Sequence, residues 1–220
     1  SLQDVAYDQQ LIRKREWLQR LLDSAIGSRA PVIQPMAGSP ALDDGTPWGF
    51  RQKVSFVFGP GPNGRGLVMG HFAHDSNRIV PIEECPVHSA RGNEVAFALR
   101  DALVQAGITA AGPRLDGIAR HLIVRTTADA RQAVAMLVVT RNDRRLRTPV
   151  RALLAKPGAP TGFLVNVHDR PGPYMIGRDT LVVAGSGTVR ETATGLTFLV
   201  SPAAFFQTNV GAAAAMVRLV

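Results

Sequence analysis

The residues best suited to chemistry lie near the end of the sequence, in the stretch SPAAFFQTN at residues 201–209. Phe205 and Phe206 offer aromatic rings that can stack on a base, and Gln207 offers an amide that both donates and accepts hydrogen bonds. Ser201 followed by Pro202 is also a good capped helix start. Two interpretations follow: a binding site that uses the amide and a ring, or an amphipathic helix from about residue 202 whose Phe pair belongs to the core.

Two basic stretches are candidates for contact with phosphate groups. In WGFRQKVSF, residues 48–56, apolar residues partly alternate with Arg51 and Lys53, which predicts a half-buried strand with basic side chains on its other face. RNDRRLR, residues 141–147, is the densest arginine run. Each stretch also has an ordinary alternative, a polar sheet face for the first and a solvated loop or hairpin for the second.

A single cysteine limits the redox and metal chemistry of the chain. Cys85 lies in VPIEECPVH, residues 80–88, and one cysteine can form neither an internal disulfide nor a zinc or cluster site by itself. Judged alone, it is expected to be a buried thiol that packs like a small hydrophobic residue. The glycine-rich GPGPNGRG lacks the lysine and Ser/Thr of a phosphate-binding loop, and no Ser/His/Asp arrangement stands out. No catalytic residue is therefore assigned within this chain.

The elements that position these residues are predicted from apolar periodicity. Helical spacing predicts helices at about residues 8–26 and 90–107, each stopped by a glycine, and a short helix near 150–155. Predicted strands lie near residues 50–58, 67–72, 118–127, 133–140, 162–168, 181–184, 188–191 and 196–200. Because the strands arrive mainly as neighbours, we expect an α+β fold with largely antiparallel sheets and flanking helices.

The charge of the chain indicates the class of partner. With 25 Lys and Arg against 17 Asp and Glu, the net charge is +8 and the sequence pI about 10.9. Such a surface attracts polyanions such as a nucleic acid backbone, although an arginine-rich proteome gives the same charge without a partner. The apolar runs stay below the ~18 residues of a membrane helix, and no signal pattern precedes them. We expect a soluble, cytoplasmic monomer that does not bind membranes.

Three of these stretches, taken in order, resemble a known family. WGFRQKVSF, VPIEECPVH and SPAAFFQTN are similar to motifs of the RNA uracil-C5 methyltransferases, which make 5-methyluridine in ribosomal and transfer RNA with S-adenosylmethionine. The first helix, AYDQQLIRKREWLQRLL, resembles the segment that follows the family's cysteine cluster. The resemblance spans most of the chain, and the three short motifs are its specific part.

The resemblance implies roles for five residues. Gln207 matches a glutamine expected to contact the methyl donor, and Phe205 a phenylalanine that lies near the target base. Arg51 and Lys53 match basic positions of a central domain and are expected to face RNA. Cys85 matches the last of four cysteines that hold an iron–sulfur cluster in many members, so in the intact protein it is expected to be a metal ligand.

The resemblance also implies that the chain is part of a longer enzyme. Residues 1–200 would be the central RNA-recognition domain, and residues 201–220 a linker helix that enters a Rossmann-like, S-adenosylmethionine-binding catalytic domain mostly absent from this chain. The nucleophilic cysteine and the general base would lie in that domain. We therefore expect this chain to be inactive alone and to hold no cluster. The alternative is a stand-alone, non-catalytic RNA-binding module, and the choice between rRNA and tRNA stays open.

Overall fold

The computed structural model describes residues 2, 4–39, 48–61, 64, 66–112, 114–172 and 174–219. Its helices within these ranges are α1 (Tyr7–Ile26), α2 (Ala90–Gln105), α3 (Arg147–Leu154) and α4 (Val210–Leu219). Its strands are β1 (Lys53–Pro60), β2 (Leu67–Phe72), β3 (Ile79–Pro81), β4 (Ala119–Thr126), β5 (Ala133–Val139), β6 (Gly162–Val167), β7 (Asp179–Gly185), β8 (Val189–Ala193) and β9 (Leu196–Val200).

Seven strands form one sheet in the order β3-β2-β1-β4-β5-β6-β7, and β8 pairs with β9 in a separate hairpin. Neighbouring strands are antiparallel except β5 and β6, which run parallel because α3 provides the crossover between them. The largely antiparallel α+β arrangement expected from the sequence is confirmed within the described ranges. The predicted absence of a Rossmann-like domain concerns residues beyond this chain and stays a prediction.

Both faces of the central strands are covered, which explains why β5 is apolar at every position. One face packs Phe56, Leu122 and Leu137 against α2 and α3. The other face packs Ile123 and Met136 against the β8–β9 hairpin and the segment that follows it. A strand buried on both sides reads as a continuous apolar run, and every residue of β5 is indeed buried.

Helix α1 agrees with the prediction, including its stop at Gly27, whose φ is 58°. None of its residues is buried, so its apolar positions do not reach the main core. Polar contacts instead hold the extended chain beside it: Arg15 Nε donates to Ile33 O (2.7 Å), and the Ser39 N–H donates to the Tyr7 hydroxyl (2.6 Å). No helix in the described ranges combines the length and apolarity that a bilayer crossing requires.

The helix predicted from about residue 202 is wrong, because α4 begins at Val210. The Ser201 hydroxyl does accept a hydrogen bond from Ala204 N, yet it closes only a turn. Asn209 is the residue that caps the helix, through Oδ1, which accepts from Ala212 N at 2.9 Å. The reason is tertiary: the carbonyl groups of Ala204 and Thr208 bind groups on β1 and β4 or just before β1 and are not available to helical N–H groups.

Candidate functional site

Backbone hydrogen bonds join the first motif to the second. Gly49 N donates to Pro86 O at 2.7 Å, and Arg51 N donates to Val87 O at 2.8 Å. Ser89 N returns a bond to Arg51 O at 3.0 Å. Residues 49–51 therefore lie alongside residues 86–89 as a short ladder just before β1 begins.

The third motif is attached to the same place. Gln52 N donates to Thr208 O at 2.8 Å, and Lys53 Nζ donates to Ala204 O at 3.3 Å. The Gln52 amide, in the orientation that satisfies its hydrogen bonds, also donates to Thr208 O. Residues far apart in the chain thus meet at the start of β1, because one end of this strand binds both other motifs.

A cleft of about 620 Å³ opens where the three motifs meet. All five residues singled out in the sequence line it: Arg51, Lys53, Cys85, Phe205 and Gln207. Among its described lining residues there is none from the arginine run at 141–147. The structure therefore gathers the motif residues into one site and leaves the second basic stretch outside it.

The two adjacent phenylalanines have different environments. Phe206 packs in the core beneath the sheet, with its ring centroid 5.4 Å from that of Phe198 on β9. Phe205 points out of the protein and is 89% exposed. The core interpretation of the Phe pair therefore holds for one ring, and the other ring is free to stack on a ligand at the cleft.

Gln207 is also available for binding. Its side chain is exposed, and its amide makes no hydrogen bond to any residue in the part of the chain that the structure describes. One carbonyl oxygen and two N–H groups can therefore be offered to a ligand in the cleft.

The two basic residues of the first motif differ in exposure and in the contacts that they already make. Arg51 is exposed, and its guanidinium lies 5.9 Å from the centroid of the Phe50 ring. Lys53 is partly buried, and burial, together with the nearby Arg125 charge, lowers its pKa. Arg51 is thus the freer cation, whereas Lys53 already binds the carbonyl oxygen of Ala204.

Arg125 on β4 was not recognised from the sequence, although it belongs to the framework of the cleft. It is only 2% exposed, and its NH2 donates to Ala204 O at 2.9 Å. Burial lowers the pKa of Arg125 to about 10, partly opposed by the Glu191 carboxylate. An arginine within the apolar run HLIVRTT was the available signal, since a charge in a buried strand needs partners.

Cys85 forms part of the cleft wall and is buried, as expected for an isolated thiol. Its backbone is held on both sides by Asn93 of α2: Cys85 N donates to Asn93 Oδ1 (3.3 Å), and Asn93 Nδ2 donates to Cys85 O (3.0 Å). Within the described ranges, no group of three or more His, Cys, Asp or Glu side chains could hold a metal ion.

Of two neighbouring histidines, His71 lines the cleft and His88 does not. His71 stacks on Phe56, with ring centroids 5.3 Å apart, and burial and the Arg51 charge lower its pKa. His88 is 2% exposed, and neither ring nitrogen has a hydrogen-bond partner among the described residues. Burial, with the charge of His71, lowers the pKa of His88 to about 4, so both rings are neutral at pH 7.

Curated relatives align with nearly the whole of this chain. It is 28% identical over 218 residues to an RNA methyltransferase of Gloeobacter violaceus, covering 98% of this chain and 46% of that protein. It is 30% identical over 219 residues to one of Listeria innocua, covering 95% of this chain and 45% of that protein. The chain is thus similar over nearly its whole length to these RNA methyltransferases. It spans about half the length of the curated relatives it matches, and no protein-family model matches it.

A solved structure has the same fold over the whole chain. The tRNA (uracil-54, C5)-methyltransferase of Pyrococcus abyssi, in complex with S-adenosyl-L-homocysteine, superposes with a TM-score of 0.76. The match covers 100% of this chain and 49% of that one, at 22% identity. The RNA methyltransferase relatives and this shared fold are consistent with the resemblance to the RNA uracil-C5 methyltransferases stated from the three motifs.

Proposed function

We propose that this chain forms the RNA-facing half of an S-adenosylmethionine-dependent RNA methyltransferase that acts on C5 of a uridine. Residues 1–200 recognise RNA in this proposal, and residues 201–220 lead into the donor-binding catalytic domain. The observation that carries it is the convergence of the three motifs on one cleft, with an exposed ring at its mouth and an amide that makes no hydrogen bond to the described residues.

Phe205 and Gln207 are suited to receive a base that has left its stack. A nucleobase must turn out of the RNA to be modified, and it is then held by stacking and by hydrogen bonds to its edge. The exposed Phe205 ring supplies the stacking surface. The Gln207 amide can donate to a uracil carbonyl and accept from its N3–H, or bind the polar end of the methyl donor.

Arg51 and Lys53 supply positive charge beside this base site. Arg51 is exposed and free to bind a phosphate, and Lys53 adds charge from the cleft wall. The net charge of +8 extends the same attraction over the molecule. Basic groups next to an aromatic surface are typical of sites for single-stranded nucleic acid.

The methyl transfer itself needs groups outside this chain in this proposal. A cysteine thiolate adds to C6 of uracil, C5 then takes the methyl group from the sulfonium, and S-adenosylhomocysteine leaves. A base next removes the C5 proton, and the thiolate departs to restore the double bond. The residues described here do the binding: they hold the base, orient it and offer hydrogen bonds.

Cys85 is proposed as one ligand of an iron–sulfur cluster in the intact protein. Such clusters use four thiolates, and this chain has one cysteine, so its own residues do not complete a site. No step of the reaction is assigned to the cluster. The iron content of the intact protein, purified without oxygen, should fall to background in Cys85→Ala, and unchanged iron would exclude this role.

The proposal is tested with labelled S-adenosylmethionine and the intact enzyme. Gln207→Ala should lower kcat/KM about fivefold, because one neutral hydrogen bond contributes about 1 kcal/mol. Phe205→Ala should lower it about 5- to 150-fold, since stacking is worth about 1–3 kcal/mol per base. Gln105→Ala, an exposed glutamine of α2, is the control. Unchanged rates in both site variants, or a product other than 5-methyluridine, would refute the assignment.

A further inference from the structure

A second and larger cleft lies beside the first one. Its volume is about 1200 Å³, and its walls come from β1, β2, the start of β4 and the loop between β6 and β7. None of the five residues singled out above lines it, and of the three motifs only Pro81 contributes to its described lining. A function for this cleft therefore has to be argued from its own residues.

Two aromatic side chains in its wall are unusually exposed. Phe72, the last residue of β2, is 52% exposed, and Tyr174, between β6 and β7, is 76% exposed. An exposed π-face is a sequence-tolerant stacking surface for any base.

The loop that carries Tyr174 is held in place from beneath. Arg120 is buried, and its NH1 donates to the carbonyl groups of His168 (2.6 Å) and Arg170 (2.9 Å). The His168 ring lies with Nε2 at 2.7 Å from Tyr174 O. These hydrogen bonds hold the backbone of the loop that carries the exposed Tyr174 ring. The loop therefore loses less conformational entropy when a ligand binds.

The polar lining of the cleft suits an anionic, hydrogen-bonding ligand. Its described lining contains Arg120 and no carboxylate, and the nearby Asp169, outside the lining, offsets part of the Arg120 charge. His121 also lines it, and burial, with the Arg120 charge, lowers the pKa of this histidine to about 4. The neutral ring keeps one buried nitrogen, Nδ1, without a partner among the described residues.

The two clefts occupy neighbouring parts of one sheet face. Ser55 lines the first cleft, and Val57, two residues along β1, lines the second. Residues two apart on a strand point to the same side and lie ~7 Å apart. An extended ligand that crosses this face can therefore enter both clefts.

We propose that the second cleft binds a further nucleotide of single-stranded RNA, next to the one held by Phe205 and Gln207. Its base stacks on Tyr174 or Phe72, and its edge meets His121. This inference rests on the proposed function, because it extends the same RNA along β1. The occupant is RNA and not a polypeptide segment, since the described lining contains a cation and no carboxylate, with Asp169 acting on Arg120 from outside it, and the continuous neighbour is the proposed base site.

The test uses fluorescent oligouridylates of about 4 and about 12 nucleotides, within the site sizes of single-strand binders. Tyr174→Ala and Phe72→Ala remove exposed rings, so folding should be unaffected. Each variant should bind the long RNA about 5- to 150-fold more weakly and the short RNA with almost unchanged affinity. Trp17→Ala, which removes an exposed ring of α1 outside both clefts, is the matched control.

The outcomes separate this inference from the proposed function. If Arg51→Ala weakens both RNAs but the two ring variants bind the long RNA as the wild type does, the second subsite is refuted and the first cleft stands. If the wild type binds neither RNA, both are refuted. Photo-cross-linking of a 4-thiouridine-containing long RNA should mark Tyr174 or its neighbours, and cross-links confined to residues 201–209 would also overturn the subsite.

Discussion

Lys53 and Arg125 lie directly opposite each other on β1 and β4, and both donate a hydrogen bond to the same oxygen, the carbonyl of Ala204. Like charges opposite each other in a sheet repel, so this pair needs an acceptor between them. The carbonyl supplies it, and Glu191 adds an opposite charge near Arg125. Ala204, the residue before Phe205, is therefore held by two cations. These contacts fix the position of the backbone from which the exposed Phe205 ring projects.

Replacing Arg125 with methionine should destabilise the protein. The change removes a charged hydrogen bond to Ala204 O, worth about 1.5–3 kcal/mol, and leaves Glu191 without its nearby cation. We expect the free energy of unfolding, measured with urea, to fall by about that amount. Arg131→Met is the control, because the side chain of this exposed arginine pairs, among the described residues, only with Asp129, and it should change the value by less than about 1 kcal/mol. Equal stabilities for the two variants would show that the shared carbonyl contributes nothing.

Local patterns predicted most of the sheet, and the failures occurred where distant residues decide the structure. β3 has three residues, too few to show alternation. The helix start was placed at Pro202, because Ser201 and Asn209 both have capping side chains and local chemistry does not choose between them. The choice is made by Gln52, Lys53 and Arg125, which take the carbonyl groups of the intervening segment.

The candidate site was predicted as separate residues and not as an arrangement. Arg51, Cys85 and Gln207 each matched a motif, but only the pairing of residues 49–51 with 86–89 brings them together. Whether Phe205 or Phe206 is free depends on the β8–β9 hairpin, whose Phe198 takes up one ring. Apolar periodicity carries no information about such tertiary contacts. For the same reason it does not identify Arg125 as part of the site.

His88 should make the protein sensitive to acid. Burial lowers its pKa from 6.5 to about 4, so the unfolded chain binds this proton more tightly than the folded one. The stability is fully present above pH ~6.5 and is lost as the pH falls towards 4, by roughly 3 kcal/mol for this residue. Urea unfolding at neutral and at acid pH should show a smaller difference for His88→Gln than for the wild type.

The control for this prediction is His74→Gln, since the His74 side chain is exposed and lies beside Asp75. That variant should keep the pH dependence of the wild type. His121 shares the lowered pKa, so part of the acid sensitivity should persist in His88→Gln. A variant at position 88 with the full wild-type pH dependence would contradict the assignment.

Gly92→Ala should destabilise the protein although alanine is the better helix former. In α2 this glycine faces the His88 ring, and an added Cβ would overlap that ring. Overpacking costs about 1–3 kcal/mol, which outweighs the ~1 kcal/mol gained in helix propensity. Combining it with His88→Ala should remove the clash, so the double variant should be more stable than the sum of the single effects predicts. Additive effects would show that the two positions do not touch in solution.

Arg51 should account for a measurable part of the salt dependence of RNA binding. Its guanidinium is exposed and makes no hydrogen bond within the described residues, whereas Arg145 and Arg141 both pair with Asp143. Each phosphate contact releases a counterion from the RNA. For single strands, this makes the slope of log affinity against log salt more negative by about 0.7 per contact. Arg51→Ala should therefore reduce the magnitude of the slope by about 0.7, and Arg145→Ala by less, because Asp143 already offsets that charge.

Lys53→Ala should weaken binding with a smaller change in slope, since Lys53 supports Ala204 as well as facing the cleft. Affinity titrated over a range of salt concentrations measures all three, and an Arg51→Ala slope equal to that of the wild type would show that the start of β1 does not contact the RNA backbone.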